Sequence, residues 1–368
     1  TGERDIPQAE NPNIRLFDME ARWRTDNANA WELSALDSIN VLQYYKPAQW
    51  EVCSPKTVRA FSAVAYYFGR RLQKELNMPI GLICNAVGGS PTEAWIDRHT
   101  LEYDFPRILN NWRENDFIMD WVRQRAGENI AKATDKLQRH PYEPAYLFEA
   151  GILPLAKYPI KGVIWYQGES NAHNKDAHSK LFPLLVKSWR NEFGYSHLPF
   201  YYVQLSSINR PSWGWFRESQ RRLMKVVPHS GMAVSYDYGH PTDVHPKNKQ
   251  PIGERLAQWA LGDTYGKKVL PSGPLFRSVT FNGKAAMVAF DYAQGMHSAD
   301  GKTLRGFELS DGNGIFYPAT AEVVGEAIKV TSEEVSNPKA VRYGFSPVTD
   351  GNLVNEANLP ASTFTSEP

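Results

Sequence analysis

Gly162-Val-Ile-Trp-Tyr-Gln-Gly-Glu-Ser-Asn171 is the stretch that decides how this chain folds. Its first half, Gly162 to Tyr166, is a short apolar run with β-branched residues, the pattern of a strand buried on both faces. Its second half turns abruptly polar at Gln167. A central strand that ends in polar side chains delivers them to the carboxyl edge of an open α/β sheet, where such sheets keep their chemistry.

Reading outward supports a sheet of that kind. Residues 79–87 form a second short apolar run, stopped by Gly88-Gly89-Ser90-Pro91, with a helix expected from Thr92. Residues 57–76 carry apolar side chains at helical spacing behind a Ser54-Pro55 start signal. Charged and apolar residues alternate over 106–140, which predicts one or two long helices. Beyond the opening stretch, helical patterns over 177–192, 215–226 and 253–262 alternate with strand patterns over 198–205 and 232–236. Strands separated by helices predict an α/β domain with a central parallel sheet covered on both faces.

The pattern changes near Lys267. Short alternating segments broken by Gly, Asp and Asn follow, without an amphipathic helix, and predict an all-β sandwich. The expected division is therefore an α/β domain over 1–266 and a β-sandwich over 267–368. Two domains also suit a length of 368 residues.

Composition excludes several classes of function. With 42% hydrophobic and 22% charged residues, the chain has the make-up of a folded globular protein. A net charge of +1 without a basic run argues against a nucleic-acid partner. No apolar stretch of about eighteen residues predicts a membrane span. Cys53 and Cys84 permit one disulfide without implying it. The 11 Trp and 18 Tyr, some in polar surroundings such as Ser212-Trp-Gly-Trp-Phe216, suit either core packing or stacking on sugars.

Asp243-Val-His-Pro246 is the second chemical signal. It places a carboxylate two residues before a histidine, and the proline disfavours a helical backbone at His245. Hydrolysis of an ester needs a base with a pKa near neutrality, oriented by an acid, and His245 with Asp243 has that form. Asp237 is the competing acid. Gly88 and Gly89 stand where backbone N–H groups can hold a developing oxyanion, and Gln167 offers a side-chain amide for the same purpose. Glu169 and Asn171 are placed to orient their neighbours. No Gly-x-Ser-x-Gly elbow is present; Ser90 and Ser170 lie at the right edge but also read as turn or capping residues. His173, His178, Asp176 and Glu169 lack a zinc-binding spacing, so no metal is expected.

On these residues the chain resembles the sialate O-acetylesterases, carbohydrate esterases of the SGNH hydrolase superfamily. The matching segments are Pro12-Asn-Ile-Arg-Leu-Phe17, Phe61 to Gly69, Pro79 to Ile83, Gly88-Gly89-Ser90 through Glu93-Ala-Trp95, Lys161 to Asn171, Asp243 to Pro246 with Lys249, Gly253 and Arg255, then Ser272 to Pro274, Ala340 to Tyr343 and Asn358 to Ser362. The resemblance implies an SGNH-type three-layer sandwich and hydrolysis of O-acetyl esters on sialic acid by a cofactor-free serine-esterase mechanism. It implies His245 as base, Asp243 as its orienting acid, Gly89 with Gly88 as backbone oxyanion donors, and Gln167 as side-chain donor, with Asn171 the alternative. It also implies a secreted, periplasmic or lysosomal location.

In that family the nucleophile sits in a Gly-Gln-Ser-Asn-Met segment upstream of the Pro12-Asn-Ile-Arg15 region. These residues contain no such segment, so the expected partners are an acetylated sugar and a complementing N-terminal polypeptide segment that carries the serine. Phe148-Glu-Ala-Gly151 replaces an Asn-Gly-Met stretch of similar proteins. A sialic acid carboxylate would need a cation, for which Arg59, Arg98 and Arg217 are the candidates. The alternatives are an acetyl esterase acting on another carbohydrate, such as acetylated xylan, and a non-catalytic glycan-binding protein.

Overall fold

A computed structural model describes residues 2–368, and its contacts divide the chain into two compact units. One comprises residues up to Phe200 together with Lys225–Ser230; the other comprises Tyr201–Met224 and Gly231–Pro368.

The first unit is built on a strand that sequence reading left unassigned, β1 (Asn11–Asp18). It lies between β2 (Trp50–Cys53), which runs antiparallel to it, and β3 (Ile80–Cys84), which runs parallel. Alternation along β1 buries Ile14 and Leu16, while Arg15 between them stays exposed. The parallel register pairs Ile14 with Ile80 and ends by pairing Asp18 with Cys84.

The helix Ala63–Leu76 starts later than the apolar periodicity suggests. Ser62 caps it, its hydroxyl accepting from the Ala65 N–H at 3.2 Å, and Asn77 in the left-handed region ends it. Gly69 brings this helix close to the sheet, since a Cβ there would lie 2.6 Å from Leu82 Cδ1.

Residues 106–140 depart from expectation. The α-helix there is confined to Asp120–Asn129, preceded by single 3₁₀ turns at Pro106–Ile108 and Trp112–Glu114. The asparagines explain the difference. Asn111 adopts a left-handed backbone, and the Asn115 side chain donates to the carbonyls of Arg107 and Asn110, so side-chain bonding satisfies the backbone locally in place of a helix.

The decisive stretch supplies β4 (Val163–Trp165), shorter than its apolar run. The Val163 N–H donates to Pro199 at 2.9 Å, and the Phe200 N–H donates to His229 at 3.0 Å. These bonds open a second three-stranded sheet in chain order: β4, β5 (Phe200–Gln204) and β6 (Ser230–Val234). The helices Lys175–Glu192 and Trp213–Val226 connect its successive strands, as a parallel sheet requires. Trp165 packs edge-on against Trp95 and Trp189, which ties β4 into the core of the first unit.

In the second unit, strands Thr320–Val324, Ala327–Thr331, Ala285–Asp291 and Leu275–Asn282 form one antiparallel sheet, and Tyr317–Pro318, Phe307–Ser310, Ala340–Tyr343 and Phe364–Thr365 form another. Val288, Ile328, Leu309, Val341, Tyr343 and Phe364 belong to one buried cluster drawn from both sheets. Such a shared core is what makes a sandwich. Trp213 is not in a wet loop. It opens a helix, is 1% exposed, and donates its indole N–H to Ser206 at 2.6 Å, so it is a packing residue.

Cys53 and Cys84 are free thiols, and burial pushes them up to about 11 and about 12 respectively.

Candidate active site

In the first unit, the segments that follow β3 and β4 meet in one polar cluster. Leaving β3, the chain reaches Gly88, whose carbonyl accepts from the Tyr142 hydroxyl at 2.6 Å and from Thr25 Oγ1 at 3.1 Å. Gly89 turns with φ of 74°, in the left-handed region that favours glycine. Its carbonyl accepts from Ser170 Oγ at 2.8 Å. Every one of these bonds is to a carbonyl. The N–H groups of Gly88 and Gly89 donate to no protein acceptor among the described residues.

Ser90 and Ser170 are both committed elsewhere. Ser90 Oγ donates to the Val87 carbonyl at 2.8 Å and accepts from Trp95 Nε1 at 2.9 Å. Ser170 Oγ is spent on Gly89. Both residues are buried and hold turns in place, as the turn reading suggests, whereas the helix caps nearby are Pro91 and Asn174.

Gln167 and Asn171 are held by each other and by the segment after Ser90. Gln167 Nε2 donates to Asn171 Oδ1 at 2.7 Å and to the Ser90 carbonyl at 3.2 Å, while its Oε1 accepts from Thr92 Oγ1 at 2.8 Å. Asn171 Oδ1 also accepts from the Thr92 N–H at 2.9 Å, and Asn171 Nδ2 donates to Glu93 Oε2 at 2.9 Å. Gln167 and Glu169 are half-buried, whereas Asn171 is 2% exposed.

Glu93 has no exposed surface, and burial pushes its carboxyl up to about 7. Sequence reading passed over Thr92 and Glu93 as chemistry. Their position directly after Gly-Gly-Ser-Pro, where a chain entering a site must turn, was the available signal.

In the second unit, β6 leads through the short turn Tyr236–Tyr238 to the loop carrying Asp243 and His245, and the helix Gln250–Trp259 follows. Asp243 Oδ1 accepts from the His245 N–H at 2.9 Å, closing an Asx turn that holds the Asp243 carboxyl below its usual range. The same oxygen lies 3.4 Å from His245 Nδ1. The imidazole is 84% exposed, open to a reactant. Asp237, the competing acid, is gripped by Arg255 in a two-pronged pair at 2.7 and 2.6 Å, and Arg255 also donates to the Val234 carbonyl at 2.7 Å. Asp237 therefore anchors the helix to the end of β6 and has no need of a histidine.

The candidate cations differ in their availability. Arg217 is fully buried, donates to the carbonyls of Gly344 and Ser346, and is held down to about 10 by burial, which removes it as a partner for a solvent-borne carboxylate. Arg98 pairs with Glu143 and Glu149, while Arg59 is exposed. Among the described residues, no group of three or more His, Cys, Asp or Glu is placed to hold a metal ion, and no helix is long and apolar enough to cross a membrane.

The chain is similar to known carbohydrate esterases. Residues 125–262 match a family described as carbohydrate esterase, sialic acid-specific acetylesterase. The sialate O-acetylesterase of Rattus norvegicus is 30% identical over 313 residues, covering 76% of this chain and 56% of the rat protein. That of Homo sapiens is 30% identical over 286 residues, covering 72% of this chain and 50% of the human protein. The chain thus spans about half the length of the curated relatives it matches. The crystal structure of a carbohydrate acetylesterase from Xanthomonas citri superposes with a TM-score of 0.79 at 30% identity, covering 99% of this chain and 75% of that one. Shared sequence along most of its length and a shared fold make this chain a member of the sialic acid-specific acetylesterase family of carbohydrate esterases.

Proposed function

We propose that the chain supplies the base and the oxyanion-binding loops of an esterase that removes O-acetyl groups from sugars, with sialic acid as the preferred substrate. One observation carries the reading: Gly88 and Gly89 are fixed through their carbonyls while their N–H groups stay free. A turn anchored in that way presents donors at no reorganisation cost, which is what stabilisation of an oxyanion requires.

In this mechanism a serine hydroxyl attacks the acetyl carbonyl carbon and His245 accepts its proton. The carbonyl π electrons move onto oxygen, where the Gly89 N–H, assisted by Gly88, receives the charge. Gln167 joins them by turning the longer of its two bonds, the one to Ser90, toward the oxyanion. Asn171 anchors Gln167, and Asp243 keeps the imidazole oriented. Collapse expels the sugar alkoxide, which takes the proton from His245, and water then cleaves the acetyl-serine by the same path.

Ser90 and Ser170 are occupied as turn-forming groups, which favours a serine borne on a segment outside these residues. Secretion or residence in a periplasm or lysosome would suit an enzyme for glycan acetyl groups. The similar Xanthomonas protein is named a carbohydrate acetylesterase; another acetylated carbohydrate, such as acetylated xylan, is the competing substrate.

The test is acetate release from O-acetylated sialosides and acetylated xylan by the natural full-length protein. Preference for sialosides, abolished by His245→Ala, is the expected result. Faster turnover of xylan would reassign the substrate, full activity of His245→Ala would remove the base, and glycan binding without turnover would replace the esterase with a lectin-like protein.

A further inference from the structure

We infer that Glu93 is the positioning residue of the site, setting the orientation of the Asn171 amide on which Gln167 is braced. This rests on the esterase reading for its catalytic consequence, while the geometry stands independently of it.

An asparagine amide can be inserted in either of two orientations, and its neighbours decide which. Here Asn171 Oδ1 must receive three donors: the Thr92 N–H, Thr92 Oγ1 and Gln167 Nε2. That is possible only if Nδ2 points the other way, where it meets Glu93 Oε2 at 2.9 Å. Ionised, the carboxylate is acceptor-only, and protonated on Oε1 it still accepts at Oε2, so in either state Oε2 accepts Nδ2 and would reject Oδ1. Glu93 thereby selects the orientation that leaves Asn171 Oδ1 facing Gln167.

Glu93 is a costly choice for a merely structural position. It is completely buried, it lacks a cationic partner, and its second oxygen, Oε1, has no hydrogen-bond partner. The causes of its raised pKa are burial, opposed by its own backbone N–H and by Asn171, with no charged neighbour among them. A glutamine or an apolar residue would fill the same space without the desolvation penalty. A glutamate kept under those conditions fits a role for its Oε2 as an acceptor, which survives protonation when the proton rests on the unpartnered Oε1. Because Thr92 precedes it directly, the same short 3₁₀ segment, Thr92–Trp95, carries both the donor to Asn171 Oδ1 and the acceptor for Asn171 Nδ2.

Two measurements on the natural full-length protein test this. The first is the side-chain amide NMR resonances of Asn171 and Gln167, followed from pH 5 to 9 in wild type, Glu93→Gln and Glu93→Ala. In wild type both amides should shift together with one midpoint set by Glu93, and the midpoint should vanish in both variants. The second is hydrolysis of 4-nitrophenyl acetate. Glu93→Ala should lower kcat roughly 10- to 100-fold with KM nearly unchanged, as expected for misplacement of a catalytic donor, while Glu93→Gln, whose carbonyl can still accept Nδ2, should recover most of the loss. Amide resonances that ignore both pH and the substitutions would overturn the inference. Coupled amide shifts without ester hydrolysis in wild type would uphold the positioning role and reject the esterase reading. Equal losses of kcat in Gln and Ala would also count against it, because an acceptor for Asn171 Nδ2 would then not be what matters.

Discussion

The Tyr142 hydroxyl donates to the Gly88 carbonyl at 2.6 Å, and a Cβ on the next residue, Gly89, would lie 2.4 Å from the same hydroxyl oxygen. One side chain thus both fixes the turn and forbids any residue but glycine at its apex. The Trp121 ring closes the other side, 2.5 Å from that Cβ position.

Gly89→Ala therefore meets a backbone penalty and a steric one together. A non-glycine residue at φ of 74° costs about 1 kcal/mol or more, and displacing Tyr142 and Trp121 adds about 1–3 kcal/mol. Chemical denaturation should report that sum, and kcat should fall at least about 100-fold because the donor moves with the turn. Tyr142→Phe should be milder, costing about 1 kcal/mol for the lost bond. An alanine variant with wild-type stability and turnover would mean that the turn is not constrained as described.

Glu93 should make stability depend on pH. Its pKa is about 7 in the folded chain against an ordinary 4.5, so the folded state binds more protons between those values. Stability from this group is complete below about pH 4.5 and is lost as pH rises through about 7, a change of about 3 kcal/mol. Urea unfolding of wild type and Glu93→Gln at pH 5 and pH 8 should show the glutamine variant gaining on wild type at the higher pH. A difference that stays constant, or that moves the opposite way, would show that Glu93 is ionised in the folded protein throughout.

How much of this was legible in the sequence depends on the distance over which each signal acts. β4 announced itself through a run of apolar residues, and the sandwich strands through alternation, because burial of a strand leaves a local imprint. The helix expected over 106–140 failed for an equally local reason, asparagine side chains that satisfy the backbone within a few residues. The site network is another matter. Thr92 and Glu93 reach Asn171 across 79 and 78 residues, and nothing in the spacing of either segment encodes that meeting. Gly88, Gly89 and Gln167 could be singled out as strand-end residues; which of their groups are free and which are occupied could not.

Gln167→Ala tests the division of labour at β4. It removes a donor and leaves Asn171 Oδ1 with its two bonds from Thr92. The expected outcome is a kcat lowered roughly 100-fold with KM and unfolding midpoint little changed. Thr92→Val, which deletes only the hydroxyl contacts to Gln167 and Asn171, should cost less in kcat and about 1 kcal/mol in stability. If instead the Gln167 variant unfolds easily and keeps its turnover, its amide serves only to tie the loops together.

Asp243 and Asp237 make opposite predictions, because one faces a histidine and the other an arginine. Asp243→Asn should lower kcat while leaving stability nearly intact, since Asp243 is 43% exposed and its loss frees no buried charge. Asp237→Asn should weaken the fold by about 1–3 kcal/mol, because Arg255, 11% exposed, loses its charged partner and one of the two prongs, and faces an NH2 where the second oxygen stood. Its effect on kcat should then follow from stability alone and disappear on cooling. Measured side by side, the two asparagine variants separate the acid that orients His245 from the acid that fastens a helix. Were Asp237→Asn the one to abolish turnover in a well-folded protein, the roles of the two carboxylates would have to be exchanged.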